Sequence, residues 1–230
     1  MPAAIKNNNK MDANLTVRQA AINDIDFVIE ALIEADKSGS QMISTCSIFA
    51  LSEDEYKEIL RDILSQDIEN YDYYLSGFLI AELNGEYVGA SGSWLEGGDG
   101  TPSGVIKSTM LFPYLDKAKI SDIKNNIQII KGSNLPREAG ALQLEYVYVR
   151  EKYRGHGIFT KVVRENIERN LSKYTFSKVQ SILFKENYKS YSAFLKFGYK
   201  VVEERKAENP EILRFFPFNV KILMEFYLDK

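Results

Sequence analysis

The chain has 230 residues, of which 27% are charged and 45% apolar, and a formal net charge of −3. That length buries a substantial core without metal or disulfide staples, and the slight acidity offers no excess of cations for a nucleic-acid backbone. A single cysteine, Cys46, and a single histidine, His156, exclude an intramolecular disulfide and a His/Cys zinc cluster, so no metal is expected.

Residues 1–13 are Asn-rich and unpatterned and read as a mobile leader ahead of one domain over 14–230. They lack a secretion signal's apolar core, and no apolar run approaches the roughly 20 residues of a membrane helix. A cytoplasmic protein without a membrane partner is expected. From Leu15 the text LTVRQAAINDIDFVIEALIEAD gives a short strand, then a helix with Ile25, Val28, Ile29, Leu32 and Ile33 at helical spacing and Asp24 or Asn23 as its cap. In SEDEYKEILRDIL, Ser52 and Glu55 form a capping box ahead of the stripe Tyr56, Ile59, Leu60, Ile63 and Leu64. Two strand-like runs around Asn84 and Gly85 predict a hairpin.

Residues 97–139 read as an insertion of loops around two helical stretches, near 105–115 and 120–131. Then come a strand at LQLEYVYV, a glycine turn opening a helix, a strand at VQSILF, a helix at NYKSYSAFLKF ended by Gly198, and a strand at YKVVEE. In the last strand Val220, Ile222, Met224, Phe226 and Leu228 alternate onto one face. Early hairpins followed by strand-helix-strand-helix imply an α/β (α+β) fold with a mixed sheet of about seven strands and helices on both faces.

The turn YRGHGIFTKVV holds the sharpest chemical signal. A helix start leaves backbone N–H groups unpartnered and is electropositive, so glycines at 155 and 157 would let a phosphate approach, with Arg154 and Lys161 adding charge. The same glycines equally serve an ordinary sharp turn. A dinucleotide fingerprint is excluded because Thr160 stands where its third glycine belongs, and no Walker loop is present.

The run LEYVYVREKYRGHGIFTKVV, followed about thirty residues later by NYKSYSAFLKFGY, resembles the two signature segments of the GNAT superfamily of acyl-CoA N-acyltransferases. Arg154, Gly155 and Gly157 match the first, and Asn187, Ser190, Phe194, Gly198 and Tyr199 the second. The resemblance implies acetyl-CoA as cosubstrate. Val147, Tyr148 and Val149 would line pantetheine; Arg154, Gly155, His156, Gly157, Ile158, Phe159 and Thr160 would cradle its phosphates; Asn187, Ser190 and Phe194 would flank the arm. It also implies a small-molecule or peptide amine as acceptor and is compatible with a homodimer. Glu145, in a setting that some members share, is the expected base, the alternative being a strand-end carboxylate paired with Lys or Arg.

Two positions depart from the pattern. Phe159 stands where the family usually has Gly or Ala, which suits a cradle if the ring points into the core. Phe194 replaces the tyrosine that protonates the departing thiolate in many members, leaving Tyr191 or water for that task. These departures keep an alternative open, a catalytically degenerate coenzyme A-binding module for regulation or interaction. His156 falls at a variable, solvent-facing position, and Cys46 reads as packing. The carboxylates Glu30, Glu34, Asp36, Glu96 and Asp99 would either give the acceptor pocket a negative field or be solvated.

Overall fold

The computed structural model describes residues 14–228, so the leader expected over 1–13 lies outside the described residues. Seven strands form one sheet in the order β1-β2-β3-β4-β5-β7-β6. Strands β1 (Leu15–Gln19), β2 (Phe78–Leu83), β3 (Glu86–Leu95) and β4 (Leu142–Val149) pair antiparallel, and β4 then meets β5 (Lys178–Phe184) in parallel. Strand β7 (Val220–Tyr227) lies antiparallel between β5 and the edge strand β6 (Lys200–Lys206).

The hairpin forms where the sequence asks for it. Asn84 and Gly85 both take positive φ, +53° and +81°, the twist that joins β2 to β3 through a two-residue turn. Helix α1 (Ile25–Asp36) buries Val28, Ala31 and Leu32 against the sheet, followed by α2 (Ser44–Phe49) and α3 (Glu53–Gln66). The capping box of α3 is present, with Glu55 N–H donating to Ser52 Oγ and Ser52 N–H to the Glu55 carboxylate. Asp24 precedes α1 but does not cap it. Its carboxylate turns back to accept from Ala21 N–H and pairs with Arg18, because a guanidinium on β1 is a stronger partner than a helix amide. The six-residue α2 is absent from the sequence reading: its text, STCSIF, is too short for helical periodicity to register.

The insertion contains α4 (Ser103–Leu111) and α5 (Ile120–Lys131). It has no core of its own. Leu111 joins the cluster around α1 and α3, while Ile130 packs with Ile48 of α2, Phe184 and Phe216. On the opposite face of the sheet, α6 (Ile158–Leu171) and α7 (Tyr188–Phe197) cover Leu142, Leu144, Val179, Ile222 and Met224. Alternation therefore assigns Gln143 and Glu145 of β4, Gln180 and Phe184 of β5, and Lys221 and Leu223 of β7 to the other face, the one under α1, α2 and the insertion.

Candidate active site

Strands β4 and β5 touch only briefly. Their ladder holds Leu142 with Val179 and Gln143 with Gln180, and then they part. Beyond that point the β4 edge facing β5 has no strand beside it among the described residues; only the Ser181 hydroxyl reaches across, donating to the Leu144 carbonyl at 2.6 Å. Just past the divergence β4 is bulged. Gly92 pairs with Glu145 and Ala90 with Tyr148, so Ser91 alone opposes Tyr146 and Val147, and Tyr146 sits at φ +53°. The bulge sends the Tyr146 and Tyr148 rings to the α1 side and Val147 to the α6 side.

At the far end of β4 the glycine turn leads into α6. Gly155 and Gly157 take φ +85° and +79°, values that side chains rarely adopt, and a Cβ at Gly155 would meet nothing within 4 Å. Gly157 caps α6 without any side-chain hydrogen bond, and the first intrahelical bond comes from Lys161 N–H to the Gly157 carbonyl. The helix start is thus unblocked and electropositive. Arg154 lies exposed beside it, its Nε donating to the Val149 carbonyl at 3.0 Å. His156 points into solvent, and Thr160 and Lys161 are half-buried. The Ile158 side chain is core, packed with Leu15, Ala81 and Val88, so that residue can offer only its backbone.

Phe159 points inward. Its ring meets Phe194 edge-on at 5.1 Å and Phe197 at 6.5 Å, leaving the N-terminal face of α6 clear. The two residues that depart from the family's pattern are therefore packed against each other. Across the divergence, Asn187 caps α7 by accepting from Ser190 N–H at 3.4 Å, and Tyr191 is half-buried against the cluster that contains Phe194. The Asn187–Ser190 pair accounts for those two residues as a helix cap, which any α7 requires.

On the opposite face, Glu145 accepts from Arg137 at 2.8 Å, and the guanidinium lies 5.4 Å from the Trp94 ring. Asp72 accepts from Lys107 Nζ at 2.5 Å and from the Tyr146 hydroxyl at 2.8 Å. Burial works against the Asp72 charge, but Lys107 and Arg137 outweigh it and hold the carboxyl below its ordinary range. Asp36, at the end of α1, accepts from Thr45 N–H at 2.9 Å, and burial pushes its carboxyl up. Lys221 extends over the Phe216 ring at 3.8 Å; burial, reinforced by Arg137, pulls its ammonium down to about 8.

Asp72, Lys107, Arg137, Tyr146 and Lys221 escape the sequence reading. One signal for Lys221 was available: the alternation that turns Ile222 and Met224 to one face turns Lys221 to the other, and only the covering insertion makes that face an interior one. Of the carboxylates considered for a negative field, Glu30 pairs with Arg150, Glu34 with Lys37, Glu96 receives Trp94 and Ser103, and Asp99 holds Thr101 N–H. Asp36 alone among them faces the charged cluster, its carboxyl acting on Lys221. Among the described residues no group of three His, Cys, Asp or Glu side chains could hold a metal, and no helix is long and apolar enough to cross a membrane.

The sequence profile of the Acetyltransferase (GNAT) family matches residues 45–199. No curated protein sequence matches the chain. Among solved structures, an N-acetyltransferase from Staphylococcus aureus Mu50 superimposes with a TM-score of 0.62 at 14% identity, covering 92% of this chain and 100% of its own. The yncA protein of Salmonella typhimurium, solved with its cofactor acetyl-CoA, gives 0.51 at 14% identity over 95% and 96% of the two chains. The aminoglycoside acetyltransferase AAC(6')-Ib, in complex with ribostamycin and coenzyme A, gives 0.51 at 15% identity over 94% of each. These likenesses establish the mixed seven-stranded fold.

Proposed function

The chain belongs to the acetyltransferase (GNAT) family, and from that premise we propose that residues 14–230 form one cytoplasmic enzyme domain that moves an acetyl group from acetyl-CoA to a primary amine of a small molecule or peptide. The observation that carries this reading is the divergence of β4 from β5, which ends at a helix start stripped of side chains. An extended pantetheine arm would add to the free edge of β4 along Val147, Tyr148 and Val149, and its pyrophosphate would accept from the N–H groups of the 154–160 turn. Asn187 and Ser190 would flank the arm from α7.

The chemistry is direct attack in a ternary complex, with proximity supplying much of the acceleration. An alkyl ammonium with pKa near 10.4 must first lose a proton, a cost of about 4 to 5 kcal/mol at pH 7. Glu145 is the proposed acceptor of that proton: it faces the acceptor side beside the bulge, and Arg137 engages its Oε1, leaving Oε2 for the amine. The departing thiolate, with a pKa near that of cysteine at about 8.5, needs little help and takes its proton from Tyr191 or water. Phe194 plays no part in that transfer, being buried against Phe159.

Calorimetric titration with acetyl-CoA and thiol release across an amine panel test the reading. Gly157→Trp is expected to lower acetyl-CoA affinity at least tenfold while the circular dichroism stays native; unchanged affinity would remove the cradle. Binding without turnover on any amine would instead favour a coenzyme A-binding module.

A further inference from the structure

The face of the sheet beneath α1, α2 and the insertion carries more charge than catalysis requires. Asp72 with Lys107 and Glu145 with Arg137 form two direct ion pairs there. Asp36 and Lys221 remain. Among the described residues neither has an ion-pair partner, although each lies close enough to feel the other's charge. Asp36 is held by both the N–H and the side chain of Thr45, whereas Lys221 has only the faces of Phe216 and Phe184. A further donor is unspent, since Arg137 Nε is buried with no hydrogen-bond partner.

An ammonium withdrawn from water without an acceptor is costly, and burial displaces Lys221 towards its neutral form. A ligand that offset this cost would bring an anion to Lys221. We propose, resting on the transferase reading above, that the acceptor is an amine that also bears an oxyanion, its amino group presented to Glu145 and its carboxylate or phosphate received by Lys221 and Arg137. The placement suits this. Lys221 pairs across β7 and β5 with Phe184, on the face that also carries Glu145, so an acceptor laid along that face spans from the bulge of β4 towards the start of β7. Phe216, Phe184 and Ile130 wall the oxyanion end and limit water there.

Matched acceptor pairs test the inference: β-alanine against 3-aminopropanamide, and phosphoethanolamine against ethanolamine, with thiol release as the readout. The anionic member of at least one pair is expected to show kcat/KM tenfold or more above its neutral partner, and the pair that responds tells carboxylate from phosphate. Lys221→Met is expected to abolish that preference through KM while acetyl-CoA affinity stays within twofold, and Lys221→Arg to retain most of it. Equal or better turnover of the neutral members, or a preference that survives Lys221→Met, overturns the assignment. Either result with intact acetyl-CoA binding leaves the transferase reading standing, whereas loss of acetyl-CoA binding by the native chain ends both.

Discussion

Glu145 owes its position to the regular alternation of β4 just before the bulge and its company to Arg137, which reaches in from the loop before the strand. If it accepts the amine's proton, Glu145→Gln keeps the shape and removes the basicity. Turnover is expected to fall at least a hundredfold, with acetyl-CoA affinity unchanged by calorimetry; a fully active variant would exclude the residue from the mechanism. Asp24 makes a different contribution. Its buried carboxylate takes two hydrogen bonds from Arg18, one from Tyr87 and one from Ala21 N–H, and Arg18 above all draws its pKa from 3.8 to about 2. A depressed acid stabilises the fold above its unfolded pKa and loses that contribution as the pH falls through the folded one. Asp24→Asn is therefore expected to cost about 2 kcal/mol at pH 7 in urea unfolding, a difference that shrinks between about pH 4 and pH 2.

At the scale of elements, α6 serves two masters. On the proposed function its N-terminal face must stay open, while its side holds the core through Val162, Val163, Ile167 and the inward Phe159. Phe159→Ala would leave a void against Phe194 and Phe197, and is expected to destabilise by about 2 to 3 kcal/mol in denaturant unfolding while acetyl-CoA affinity stays within threefold. A larger loss of affinity would mean that the ring shapes the cradle itself. The strands, α1, α3, α6 and α7 were legible because each announces itself locally, by alternation, by a 3.6-residue stripe, or by a cap such as Ser52 with Glu55. The turn before α6 was legible too, as glycines before a helix. The charged face under the insertion was not: Lys107 and Arg137, from opposite parts of the insertion, and Lys221, from the last strand, come together only because the insertion folds down over the sheet. No local pattern encodes that meeting.

For the whole molecule, the weak line is the contact between β4 and β5. Two residue pairs join them, and the side chains add a chain of hydrogen bonds from Gln143 to Gln180 at 2.9 Å and from Gln180 to Glu225 at 2.7 Å. Gln180→Ala would leave Gln143 and Glu225 buried without that partner, and is expected to cost about 2 kcal/mol by thermal unfolding. On the proposed function it should also weaken acetyl-CoA binding, because the line lies where β4 and β5 part; undiminished affinity would show that the divergence holds its shape without it. The sheet is continuous as a ladder but divides into two leaves, β1 to β4 and β5, β7 and β6, joined along a short spine. On the proposed function, the pantetheine arm supplies rungs that the polypeptide omits, so the chain borrows part of its own secondary structure from the molecule it handles.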